Sequence, residues 1–207
     1  MTTQHYFHRL GVAAAILAIA SVAHAQSSTP SGTGFGTGSG ESLLPGTSGG
    51  YVGIGLGVPK YRTTCGGGGF ECDDPDVGLH LFTGGIVNDF LGVELGYLRM
   101  GRAERAGGST QAQGVNLSAV VRAPLGPVNL FAKGGATYGR TDVTANVLSG
   151  IPSGKESGLG LSYGAGVGYD FTANSGVVLE WQRHTFRFVG SGKEKVDLLS
   201  VGYLVRF

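Results

Sequence analysis

Hydrophobic residues recur at every second position in eight stretches of this chain. The last stretch, Lys195 to Phe207, places Leu199, Val201, Tyr203, Val205 and Phe207 on one face. Leu198, Ser200, Gly202, Leu204 and Arg206 fall on the other. A side-chain period of two is that of a β-strand. An apolar face beside a mixed or small one suits a strand of a membrane-spanning barrel, and taken alone it also fits a strand of a soluble sandwich.

The same pattern opens at Tyr51 to Val58, where Val52, Ile54, Leu56 and Val58 share one face and Gly53, Gly55 and Gly57 the other. Further strands are predicted over Leu79 to Val87, Phe90 to Met100, Gln113 to Ala123, Val128 to Arg140, Leu159 to Phe171 and Gly176 to Phe188. In the sixth, Leu159, Leu161, Tyr163, Ala165, Val167, Tyr169 and Phe171 oppose Gly160, Ser162, Gly164, Gly166, Gly168 and Asp170. The connections after the even strands are short and built from Asn, Asp, Pro and Gly, as hairpin turns are. Those after the odd strands are expected to be longer, at 62–78, 101–112, 141–158 and 189–194. An even strand number, short turns at one end and longer loops at the other define an outer-membrane barrel with both termini in the periplasm. The fold predicted is all-β: an eight-stranded antiparallel up-and-down transmembrane β-barrel over residues 51–207.

Composition agrees with this. Glycine supplies 40 of 207 residues, yet the chain is 41% hydrophobic and 14% charged, which fits neither a disordered polyampholyte nor collagen. Inside a narrow barrel, glycine on the inward face relieves crowding. No apolar run after residue 25 is long enough for a helical span. Residues 1–25 read as a cleavable signal peptide, with His5, His8 and Arg9 before an apolar run and Ala23-His24-Ala25 at the cleavage site. Residues 26–50, rich in Gly, Ser, Thr and Pro, read as a flexible leader. Cleavage removes one base, Arg9, and leaves no net charge and no basic footprint for nucleic acid.

The strand parity assigns chemistry to the two faces. Glu94, Asp170 and Glu180 fall on the lumenal side with Arg122, Lys133 and Arg206. Such a balanced set fits a plugged interior better than an ion-selective pore, whether the ion pairs act as a gate or merely fill the lumen. The outward bases Arg99, Arg140, Arg183 and Arg187 lie toward the outer ends of their strands. They fit either lipopolysaccharide phosphates, which guanidinium forks match, or headgroup snorkelling. Phe90, Tyr169, Phe171, Tyr203 and Phe207 are expected to form a lower aromatic girdle, and Tyr61, Tyr138, Phe186 and Phe188 an upper one. Tyr203, Val205 and Phe207 also read as the carboxy-terminal signal for the barrel-assembly machinery. Cys65 and Cys72, in the first outer loop, are expected to form a disulfide in an oxidising compartment. Glu71, Asp73, Asp74 and Asp76 near them read as a solvated acidic loop, without the spacing of a calcium site. No cofactor or metal is expected.

An enzyme acting on lipid A is disfavoured. His80 and His184 are followed two residues later by Phe82 and Phe186, where lipid A deacylases place a serine. Glu180 lies four strand residues from His184, about 13 Å away and too far for a direct catalytic hydrogen bond.

Four segments carry a resemblance: L-G-V-E-L-G-Y at 91–97, A-Q-G-V-N-L-S-A at 112–119, N-L-F-A-K-G-G at 129–135 and V-V-L-E-W-Q at 177–182. They resemble the transmembrane domain of OmpA-family outer-membrane proteins over about residues 51–207. The resemblance implies a largely plugged barrel that stabilises the outer membrane and presents loops to hosts, phages or other cells. It maps a lumenal ion-pair cluster onto Glu94, Lys133 and Glu180. Val120 and Val178 stand where the family tends to carry bases, so no inherited gate is expected. Nor is the peptidoglycan-binding domain of full-length relatives. A structural and surface-interaction role is expected first, a narrow channel for small solutes second and a lipid A enzyme third.

Overall fold

The computed structural model describes residues 49–62, 73–105, 107–146, 148, 151–190 and 192–207. The expected signal peptide, residues 26–48 of the expected leader, Glu71, and the pair Cys65 and Cys72 lie outside the described residues. Eight antiparallel strands, each paired with its sequence neighbour, form a closed barrel: β1 (Gly49–Tyr61), β2 (Gly78–Ile86), β3 (Leu91–Arg105), β4 (Gly108–Leu125), β5 (Val128–Thr144), β6 (Gly154–Thr172), β7 (Ser175–Phe188) and β8 (Gly192–Arg206). Closure between β1 and β8 runs from Tyr51 opposite Arg206 to Tyr61 opposite Val196. Gly50 and Phe207 exchange two backbone hydrogen bonds of 3.0 Å at its end. β1 therefore begins at Gly49, and two glycines of the expected leader belong to the barrel. The end holding Gly49 and Arg206 is called lower below, the opposite end upper.

Alternation sorts the side chains as a lipid-facing barrel requires. Outward Leu161 is 74% exposed and Leu159 63%, beside Leu117, Val121, Val201 and Tyr203. So continuous an apolar surface has no place on a soluble monomer. The upper limit of this band follows from register. The first polar residues above it are opposite one another in two runs, Arg99, Gln113, Arg140 and Ser157 in one, Arg183, Asp197 and Lys60 in the other.

The lower turns are tight. Gly126 takes the left-handed φ of 72° that the first central residue of a type II′ turn demands, and Pro127 pre-sets the second. Between β2 and β3, the Asn88 carboxamide oxygen accepts the backbone N–H groups of Phe90 (2.9 Å) and Leu91 (2.8 Å).

The upper connections depart from expectation. Only Ala106 and Gly107 separate β3 from β4, and β5 continues to Thr144 before β6 resumes at Gly154. Strands β4, β5 and β6 have 18, 17 and 19 residues, where about 9 to 11 suffice to cross a bilayer. The ladder extends because it keeps burying apolar residues inside. Met100, Ala103, Ala112 and Val143 are all buried there. A bulge in β3 between Arg99 and Arg102 makes this possible. Gly101 at φ 66° absorbs the extra residue and turns Ala103 inward.

Candidate functional site

Side chains line the lumen in four tiers. At the lower mouth Arg206 Nη1 meets Asp170 Oδ1 at 2.6 Å, and Asn129 Nδ2 donates to Asp170 Oδ2 at 2.6 Å. Arg122, half-buried on β4, forms no ion pair or side-chain hydrogen bond among the described residues.

The second tier is built around Lys133, whose ammonium lies 2.7 Å from Glu94 Oε1 and 2.8 Å from Glu180 Oε1. Glu94 Oε2 accepts the Tyr51 hydroxyl at 2.9 Å. The ammonium also sits 5.3 Å from the Phe82 ring centre and 5.0 Å from that of Phe131, within cation–π range. Buried Phe82, Val178 and Leu204 pack here with Tyr51 and Phe131. Three strands thus bring together the triad of Glu94, Lys133 and Glu180 from the expected lumenal set. Arg206 and Asp170 form a separate pair, and Arg122 stands apart from both. Tyr51 is a further member, legible from the parity it shares with Gly53 and Gly55.

Above the triad lies a hydrogen-bonded polar layer. Ser118 donates to Asn116 Oδ1 at 2.8 Å, and Asn116 Nδ2 donates to Ser162 Oγ at 2.6 Å and Thr137 Oγ1 at 3.2 Å. Thr137 Oγ1 lies 2.8 Å from His184 Nδ1, and His184 Nε2 is 2.8 Å from Gln182 Oε1. Gln182 Nε2 is 3.2 Å from His80 Nδ1. Since an amide nitrogen only donates and an amide oxygen only accepts, the network assigns the proton of His184 to Nε2 and that of His80 also to Nε2. Both imidazoles are buried. Among the described residues neither has a carboxylate partner.

The top tier is apolar. Tyr61, Leu98, Met100, Ala103, Ala112, Val143, Phe186, Phe188, Val196 and Leu198 form one buried cluster, with Ile151 packed against it. Tyr61 Oη accepts the Ala112 N–H at 3.0 Å, so the phenol is satisfied within it. Tyr61, Phe186 and Phe188 therefore point into the lumen and not into an upper girdle. Their parity with lumenal Glu180 and Gly57 requires this, and the extended barrel gives them an apolar interior to fill. Among the described residues the outward aromatics toward the upper end are Tyr97, Tyr138, Tyr163 and Trp181. At the lower end Phe90, Tyr169, Phe171, Tyr203 and Phe207 are exposed as expected.

On the upper rim Arg99, Arg140 and Arg187 are exposed. Arg183 is engaged: its Nε and Nη2 reach Asp197 at 2.5 and 2.9 Å, and its guanidinium carbon lies 5.1 Å from the Trp181 ring centre. Arg62 Nε grips the same carboxylate at 2.7 Å. Two guanidiniums share Asp197, a bridge between strands that spacing along the chain does not reveal. Between β1 and β2 Asp73 forms an isolated backbone bridge to Glu104, and the Asp74 carboxylate accepts the Tyr61 N–H at 3.1 Å.

The OmpA-like transmembrane domain family matches residues 46–197. Outer membrane protein A of Salmonella typhi is 30% identical over 172 residues, covering 76% of this chain and 48% of the relative. That of Shigella flexneri is 32% identical over 144 residues, covering 64% and 40%. The chain thus aligns with about half or less of the length of these relatives. Among solved structures, Neisserial surface protein A superposes with a TM-score of 0.61 at 18% identity, covering 76% of this chain and 97% of that one. The Yersinia pestis attachment protein Ail, in complex with the heparin analogue sucrose octasulfate, gives 0.51 at 19% identity, covering 77% and 99%. The β-barrel domain of Pseudomonas aeruginosa OprF gives 0.52 at 14%, covering 76% and 97%. These structures share the closed outer-membrane barrel, and with the family match over most of the strands the chain belongs to the OmpA-like transmembrane domain family.

Proposed function

We propose that this barrel is a non-enzymatic structural and surface-interaction protein of the bacterial outer membrane, exported through a cleaved signal peptide, with its working surface at the upper rim and loops. The observation that carries this reading is the apolar top tier. Ten buried side chains fill the upper lumen, and with the bracketed Lys133 beneath them they leave little for a solute to follow. A hydrated ion crossing that tier would lose its water to a layer with no charge. Catalysis finds no support in the two histidines, which hydrogen-bond to Gln182 and Thr137 inside the wall. Tyr203, Val205 and Phe207 present the aromatic register for the assembly machinery.

The upper rim is the surface for lipopolysaccharide. Arg99 and Arg140 stand at the top of the apolar band and Arg187 above it, with guanidinium donors toward the headgroup layer. Arg183 contributes less, since Asp197 already occupies its fork. Loop tips beyond the rim are the places for host, phage or cell-surface ligands. Replacing Arg99, Arg140 and Arg187 together by Gln is expected to reduce lipopolysaccharide co-purifying with the barrel. Unchanged retention would reject the rim assignment. Lipid A from cells with and without the protein should have the same mass spectrum, and a difference dependent on His80 or His184 would overturn the non-enzymatic reading.

A further inference from the structure

We propose that the lower half of the lumen binds a short-chain carboxylate, with the anionic head on Arg122 and the alkyl tail between Val120, Phe131 and Val178. The site is a cavity of about 60 Å³ whose walls also include Phe82, Leu204, Arg206 and the mutually paired Glu94 and Lys133. Its charges are unevenly committed. Lys133 is bracketed by two glutamates and Arg206 is paired with Asp170. Arg122 alone among the lumenal bases has no ion-pair partner among the described residues. A half-buried guanidinium with unfilled donors is matched best by a bidentate carboxylate.

Size and polarity select the rest of the ligand. On the same measure of volume one water needs about 10 to 15 Å³, so the space suits about four to six non-hydrogen atoms, the range from acetate to butyrate. The apolar walls disfavour a small inorganic anion, which would have to shed water without gaining apolar contact. Solvent reaches the mouth, because the Arg206 and Asp170 side chains there are 20% and 22% exposed.

The test is a titration of the folded barrel in detergent micelles, following the Arg122 side-chain Nε–H resonance by nuclear magnetic resonance. Sodium formate, acetate, propionate, butyrate and chloride are compared at constant ionic strength. Saturable shifts with Kd on the order of millimolar are expected, tightest for propionate or butyrate. Arg122→Gln should weaken propionate binding at least about tenfold, the loss of charge-assisted hydrogen bonds, read from the neighbouring backbone amides. Val120→Phe keeps the charge but fills the cavity, and should also abolish binding. Arg102→Gln, exposed at the upper end of β3, should bind as the unaltered protein does. Both lumenal variants are first checked for the heat-dependent gel mobility of a folded barrel; if Arg122→Gln fails it, Val120→Phe and the alkyl series decide. Non-saturable shifts, chloride binding as tightly as propionate, or undiminished binding in the folded lumenal variants would overturn the proposal.

Discussion

Lys133→Met removes the ammonium from the middle of the lumen and keeps most of the side-chain volume. Two carboxylates remain, and the oxygens that faced the ammonium at 2.7 and 2.8 Å lie within about 5.5 Å of one another. Their repulsion is about 3 kcal/mol at an effective dielectric constant of about 20. Breaking a buried pair by deleting one partner typically costs about 3 to 5 kcal/mol, so the two routes agree. The variant can escape by protonating one glutamate, which from an ordinary carboxyl costs about 3.7 kcal/mol at pH 7 and about 1 kcal/mol at pH 5. The penalty is therefore expected to be about 3 to 4 kcal/mol at pH 7 and to shrink toward about 1 kcal/mol at pH 5. Trp181 is the single tryptophan and lies on the outward face, so its emission in urea titrations of vesicle-embedded protein reports the unfolding. The triple variant Lys133→Met, Glu94→Gln, Glu180→Gln should recover most of the loss, because no uncompensated charge remains. A single variant within about 1 kcal/mol of the unaltered protein at pH 7 would refute this account of the triad.

Other changes probe the remaining tiers. Phe186→Ala, at the heart of the upper cluster, should cost about 3 to 5 kcal/mol in the same unfolding assay; a cost below about 1 kcal/mol would deny the cluster its role. Gly139 lies against the Phe186 ring, where an added Cβ would overlap it, whereas nothing stands within 4 Å of a Cβ at Gly134. Gly139→Ala should therefore cost about 1 to 3 kcal/mol through overpacking, and Gly134→Ala should be neutral or stabilising by about 0.5 to 1 kcal/mol. Asp197→Asn releases Arg183 and Arg62 from their shared carboxylate, so lipopolysaccharide retention should rise; a fall would mean that Asp197 positions them for the phosphates.

The eight strands were legible because lipid and a narrow lumen impose opposite demands on alternate residues, and β6 meets them at almost every position from Leu159 to Phe171. Parity places six charges in the lumen, and the resemblance singles out Glu94, Lys133 and Glu180 among them, which do meet, whereas Arg122 at the same parity has no ion-pair partner among the described residues. Tyr61, Phe186 and Phe188 were misplaced because aromatic residues near a predicted interface suit lipid and a dry lumen equally. Parity distinguishes the two, and it holds for all three. The extent of the upper ladder was hidden by the Gly101 bulge, which changes the facing residues within β3. The shared grip of Arg62 and Arg183 on Asp197 depends on register across β7 and β8 and on the end of β1, which no local pattern encodes. The polar layer from Ser118 to His80 was invisible for a related reason, since it is assembled from β2, β4, β5, β6 and β7.

In the proposed reading the interior carries no solute, and the barrel is a scaffold whose chemistry lies on its outer surface and at its lower mouth. Planar-bilayer recording of the purified, folded barrel tests it most directly. No sustained conductance is expected from the unaltered protein, and conductance should appear when Phe186 and Leu198 are both cut to Ala. Steady ohmic steps from the unaltered barrel, insensitive to those two substitutions, would contradict that reading.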